Sequence, residues 1–131
     1  MKPIFSLEPD GSIIVRVGTQ SNCAGLAIIR VQITTQPEPG ITTALAAETT
    51  ETEPSSFLNS LFIPSYLIPL EYQEATFWGA RQAYEEFNLS PERGINFLLI
   101  SGIVHPIDVR IPKFQDAGYL AIRSWLRLEI S

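Results

Sequence analysis

The side chains with the greatest chemical capacity in this sequence are its single histidine, His105, and its single cysteine, Cys23. An imidazole with a pKa near ~6.5 suits a general base, and a thiol in a polar loop can act as a nucleophile. However, His105 directly precedes Pro106, and no neighbour of Cys23 in the sequence supplies a positive charge to activate it. We therefore expect a chain that is not an enzyme, and an active site built on these two residues is the less favoured alternative.

Metal and nucleotide chemistry also lack a recognisable pattern. One histidine and one cysteine, far apart in sequence, leave only carboxylates as ligands, and these show no ligand spacing. The glycine-containing segment Gly18–Gly25 lacks the Lys-Ser/Thr pair of a phosphate-binding loop, and Gly-x-Gly-x-x-Gly does not occur. We therefore expect no metal and no cofactor.

The charge balance argues against a nucleic-acid-binding protein. Nine basic and fourteen acidic residues give a net charge of −5, whereas such proteins carry a basic face. The last 22 residues are the exception, with four basic and two acidic side chains. That local excess is either a solvated helix face or a small patch that reaches phosphate. We expect no stable binding to bulk RNA.

Cellular location follows from the cysteine count and from the apolar runs. A single cysteine allows no internal disulfide, which is typical of a reducing compartment. The first residues lack the apolar core of a signal peptide, and the longest charge-free runs, 57–70 and 95–107, are too short to span a bilayer. We expect a soluble, cytoplasmic protein without membrane contact.

Periodicity and turn signals predict the elements that must position these residues. Strands are predicted at 12–17, 26–35 and 95–104, with a short edge strand at 109–111, and helices at 69–87 and 115–126. The stripe Ala75, Gly79 and Ala83 predicts that the first helix lies close against a sheet. This order indicates an α+β fold, a two-layer sandwich with both helices on one face of the sheet.

The whole chain, 1–131, is predicted to form one domain. Residues 41–56, rich in threonine and glutamate and without aromatic side chains, are predicted to be a flexible insertion within that domain.

Several stretches together resemble the fourth domain of translation elongation factor G. Segment 19–25 keeps Gln20, Ser21 and Gly25 of the family's glycine-rich loop, and Ile63-Pro64 and Ile68-Pro69 repeat its paired Ile-Pro spacing before a helix. The resemblance implies a four-stranded sheet with two helices on one face and a left-handed βαβ crossover. Outside such families, crossovers of this kind are right-handed in ~98% of cases.

In the family, two loops form a tip that enters the decoding centre of the ribosome. Those loops correspond here to 20–25 and to about 105–113. The resemblance therefore implies a binding site made of seven candidate residues: Gln20, Ser21, Asn22, Cys23, His105, Arg110 and Lys113. The family's glycine pair and arginine are replaced by Asn22, Cys23 and Ala24, so the loop has a different recognition chemistry.

The favoured function is a non-catalytic binding module, associated with translation or the ribosome, that recognises a protein or RNA partner through the tip loops. One alternative is a structural homo-oligomer that uses the apolar segment 57–67 as its interface. The other is an enzyme with a site at the same loops.

Overall fold

The computed structural model describes residues 4–18, 26–46, 62–87, 94–103 and 111–130. In chain order the elements are strands β1 (Ile4–Leu7), β2 (Ile13–Gly18), β3 (Leu26–Gln36), β4 (Gly40–Leu45) and β5 (Ile63–Pro64), a 3-10 turn (Ser65–Leu67), helix α1 (Leu70–Phe87), strand β6 (Gly94–Ile103) and helix α2 (Ile111–Ile130). None of the helices in these ranges is both long and apolar enough to cross a bilayer.

These strands form a single mixed sheet. Its order is β1-β2-β3-β6-β4, in which neighbouring strands are antiparallel except for β4 and β6, which run parallel. The short β5 also pairs with β6, at Gly102 and Ser101. Because β3 occupies one side of β6 over this stretch, β5 must lie on the same side as β4.

The turn between β1 and β2 shows how the local sequence starts the sheet. The Oδ1 atom of Asp10 accepts hydrogen bonds from the Ser12 backbone N–H at 2.9 Å and from the Ser12 hydroxyl at 2.6 Å. Gly11 has a φ of 90°, a conformation that side-chain-bearing residues rarely adopt. This turn reverses the chain and sets the register in which Leu7 pairs with Ile13.

One hydrophobic core lies between the sheet and the two helices. In β2, buried and half-buried residues alternate, as expected of a strand with one covered face. The same cluster contains side chains from β2, β3, β6, α1 and α2, so both helices pack on the same face of the sheet. The largest fully buried side chains are Phe97 of β6 and Phe114 of α2. The prediction of an α+β sandwich is therefore confirmed.

The two helices make their closest approach at two glycines. A β-carbon at Gly79 of α1 would overlap the carbonyl oxygen of Gln115, and one at Gly118 of α2 would overlap that of Thr76. The small stripe predicted in α1 therefore does allow close packing, but Gly79 faces the second helix and not the sheet. The sequence pattern predicts a helix face made of small side chains, but it does not predict which element packs against that face.

The predicted sheet of four strands is too small, since the described residues form six strands. Three of the predicted strands become β2, β3 and β6, and β1, β4 and β5 were not predicted. Residues 41–45, predicted to begin a flexible insertion, belong to β4 because β6 offers them a parallel partner from Gly40↔Gly94 to Leu45↔Leu99. Residues 47–56 of that insertion lie outside the described ranges.

The second helix is longer than predicted. The predicted edge strand at 109–111 is wrong at Ile111, which begins this helix, and residues 109 and 110 lie outside the described ranges. Helix α2 starts at Ile111 and continues to Ile130, whereas the sequence pattern predicted 115–126. Pro112 is compatible with this start because a proline in the first turn removes a donor that has no helical partner. The left-handed crossover remains a prediction.

Candidate functional site

The two predicted tip loops begin and end at the same end of the sheet. At the close of β2, Gly18 pairs with Leu26, the first residue of β3. Two residues further along β3, Ile28 pairs with Ile103, the last residue of β6. The flanks of loops 19–25 and 104–110 are therefore neighbours across the sheet. We call this end of the molecule, with the two helix starts described below, the tip end.

Most of the predicted binding residues fall in the loops themselves. Six of them lie outside the described residues: Gln20, Ser21, Asn22, Cys23, His105 and Arg110. The seventh, Lys113, is half-buried in the first turn of α2. The structure thus brings the flanks of the two loops together and locates Lys113 beside them.

Both helices also start at the tip end. Near their first turns, the rings of Tyr72 and Phe114 stack at 5.0 Å, and further along, Phe87 meets Tyr119 edge-on at 5.7 Å. The residue numbers of both partners increase from the first ring contact to the second, so α1 and α2 run in the same direction. Two helix N-termini, each the partially positive end of a helix dipole, therefore face the same way.

Exposed apolar side chains collect at this end as well. Tyr66, Leu67, Leu70 and Ile111 are 45%, 58%, 66% and 40% exposed, respectively. They flank the first turns of α1 and α2, and a large exposed apolar group of this kind is typical of an interaction surface. Leu70 and Ile111 were not predicted from the sequence as part of this surface. A usable signal was present, because each is an apolar residue adjacent to a proline at a helix start.

A buried amide holds the turn that carries two of these side chains. The Nε2 of Gln73, in α1, donates to the carbonyl oxygens of Ser65 at 3.0 Å and Ile68 at 2.8 Å. The N–H of Ile68 also donates to the Ser65 carbonyl at 3.1 Å. Gln73 is almost fully buried, so these bonds replace water that cannot reach the carbonyls. The exposed Tyr66 and Leu67 are thereby presented on a fixed turn.

Shifts of pKa occur away from the tip end. Hydrogen bonds from the hydroxyl and N–H of Ser12 hold the pKa of Asp10 below its usual value, at the opposite end of β2. Donation of its phenol proton to Glu86, at 2.6 Å, raises the pKa of Tyr119 on α2. Both shifts have local hydrogen-bonding causes. Within the described part of the chain, no group of three or more His, Cys, Asp or Glu side chains could hold a metal ion.

Comparison with known proteins supports the fold and does not extend to activity. No protein-family model and no curated protein matches the sequence. Among solved structures, the chain is similar to a crystal structure of a protein from Thermus thermophilus, with a TM-score of 0.55 and 20% sequence identity. That match covers 87% of this chain but 15% of the other chain. At this identity the likeness shows the fold alone, as a small part of a much longer protein.

Proposed function

We propose that this chain is a non-catalytic binding module, with a fold like the fourth domain of elongation factor G, that acts in translation by docking its tip end onto a protein surface. The observation that carries the proposal is the convergence at one end of two loop flanks, two helix starts and four exposed apolar side chains. A rigid scaffold that presents loops at one end is a common arrangement for recognition.

A protein partner fits this surface better than RNA does. Single-stranded RNA is held by several aromatic platforms together with a basic groove. At the tip end, the exposed described residues include one aromatic side chain, Tyr66, beside the aliphatic Leu67, Leu70 and Ile111. The net charge of −5 adds repulsion from phosphate.

Sedimentation with purified ribosomes of the source organism tests the association with translation. We expect the chain to co-sediment through a sucrose cushion, and the double variant Leu67→Ser with Leu70→Ser to lose about tenfold or more in affinity, since burial of a leucine side chain contributes about 1.5–3 kcal/mol. Trp78→Ser is the matched control, because Trp78 is also exposed, at 51%, but lies further along α1, away from the tip end. Equal loss in both variants, or no sedimentation at all, contradicts the proposal.

Binding to free RNA is the second measurement. Isotherms with ribosomal and random RNA at two salt concentrations should show no stable complex at physiological salt. Micromolar affinity that weakens steeply with salt, and that disappears in Arg110→Ala with Lys113→Ala, would instead identify an RNA-binding protein.

A further inference from the structure

The outer edge of β4 is unpaired in the described part of the chain, because β4 ends the strand order beyond β6. The N–H of Ala46, just after β4, donates to the Leu99 carbonyl of β6 at 2.9 Å. Main-chain groups of successive strand residues point to opposite sides. The residues at even positions of β4, like Ala46, therefore direct their N–H and C=O groups toward β6. Ile41, Thr43 and Leu45 direct theirs outward.

Strand β4 itself carries none of the sequence devices that usually prevent strand addition. Natural edges are made short, or carry charges, prolines or bulges. Strand β4 has six residues, Gly40–Leu45, without a charge or a proline among them. The opposite edge, β1, has four residues and follows Lys2-Pro3 in the sequence. Of the two edges that the described residues form, β4 is the one open to another strand.

We propose that β4 pairs with β4 of a second copy of this chain, antiparallel about a two-fold axis at Thr43. In this register Ile41 of each copy faces Leu45 of the other, and Thr42 faces Ala44. The outward donors and acceptors then satisfy one another in about six inter-chain hydrogen bonds, because each of the three outward residues offers one N–H and one C=O. An isologous interface requires this kind of self-complementarity.

Helix α1 extends the same surface. The Nη2 of Arg81 donates to the Thr43 hydroxyl at 2.9 Å, so this part of α1 runs beside the β4 edge. Trp78 lies about one turn before Arg81 and is 51% exposed, and Glu85 lies about one turn after it and is exposed. In the dimer the two α1 helices lie antiparallel, which shields Trp78 and offers Glu85 of one copy to Arg81 of the other.

The area that the dimer can bury limits its expected affinity. A stable interface buries about 800 Å² on each partner, more than a six-residue strand supplies, so the α1 contact is needed and the dimer is weak. We expect reversible association with a midpoint in the micromolar range. The dimer does not use the tip end and is independent of the proposed function.

Analytical ultracentrifugation of the full chain over a concentration series tests the dimer. Thr43→Pro removes an outward N–H while leaving the ladder to β6, and proline is tolerated on that side of an edge strand. We expect it to weaken dimerisation at least tenfold. Thr43→Val is the matched control, since it also loses the hydroxyl contact with Arg81 but keeps the N–H. It should dimerise within about threefold of the parent.

Hydrogen exchange supplies a test that does not depend on a variant. The amides of Ile41, Thr43 and Leu45 should exchange fast in dilute solution and become protected as concentration rises. If Thr43→Pro does not fold, Ala44→Lys, which adds a charge on the exposed face of β4, takes its place. A monomer up to about 0.5 mM, or a dimer lost in Leu67→Ser with Leu70→Ser but retained in Thr43→Pro, overturns the proposal.

Discussion

Replacing Gly79 by alanine should destabilise the protein, although alanine is the better helix former. A β-carbon at this position would overlap the Gln115 carbonyl oxygen, and would lie 2.8 Å from the carbonyl carbon and 3.0 Å from the Tyr119 nitrogen. All three obstacles are main-chain atoms of α2. They cannot rotate away as the end of a flexible side chain could, so α1 and α2 must move apart.

The size of the effect follows from two opposing terms. Alanine gains about 1 kcal/mol in helix propensity over glycine. Overpacking a well-packed contact costs about 1–3 kcal/mol, and an obstacle made of backbone belongs at the upper end of that range. We therefore expect the free energy of unfolding to fall by about 2 kcal/mol. For a chain of 131 residues this corresponds to a decrease of about 8 °C in Tm.

Thermal and urea unfolding followed by circular dichroism measure this change. Gln82→Ala is the control, because Gln82 is exposed on the same helix and its replacement should alter stability by less than about 0.5 kcal/mol. Gly118→Ala should be destabilising for the same reason, and the double variant should lose less than the sum, since one separation of the helices relieves both overlaps. A Gly79→Ala protein as stable as the parent would refute the close helix contact.

Three further predictions concern single side chains. Gln73→Ala removes the side-chain donor from the buried Ile68 carbonyl and leaves the Ser65 carbonyl with only the N–H of Ile68, so it should lower the free energy of unfolding by about 1–3 kcal/mol in urea melts. Because the pKa of Asp10 is lowered in the folded protein, its hydrogen bonds from Ser12 stabilise the fold above pH 3.8, and this stabilisation is lost as pH falls through the lowered pKa. Asp10→Ala should therefore flatten the acid limb of a curve of unfolding free energy against pH. Parallel curves for the parent and the variant would contradict this. Because the pKa of Tyr119 is raised in the folded protein, its hydrogen bond to Glu86 stabilises the fold below pH 10.0, and this stabilisation is lost as pH rises through the raised pKa. Glu86→Gln should therefore shift the titration of the Tyr119 phenol, followed by ultraviolet absorbance, to lower pH.

Strong local signals predicted most of the regular structure. The apolar run that becomes β6 was predicted at 95–104 and is Gly94–Ile103, and α1 was predicted at 69–87 and is Leu70–Phe87. A long, nearly uninterrupted apolar run and a long helical period each leave few alternative conformations. Strand β4 was missed because its composition, with two threonines and flanking loop residues, carries no such signal, and its pairing with β6 is a long-range contact.

The candidate site stays a prediction, and only the flanks of its two loops can be compared with the structure. The resemblance placed the site at the loops after β2 and β6, and the described flanks of these loops do meet at one end of the sheet. Leu70 and Ile111 were not predicted as part of it. Each is one apolar residue in an apolar-rich sequence, and only the packing of α1 and α2 decides which of these residues remain exposed.

By itself the sequence determined the fold class, the core-facing periodicity of its helices and long strands, and the turns, because each depends on the conformational preferences of neighbouring residues. The tertiary structure decided which surfaces meet. Gly79 would allow close approach to a sheet or to another helix, but the element that it contacts is α2, at Gln115, 36 positions further along the chain. Likewise, an uncharged six-residue segment became an edge strand only because β6 passes beside it. Contacts between distant residues depend on the arrangement of whole elements, and no local pattern encodes that arrangement.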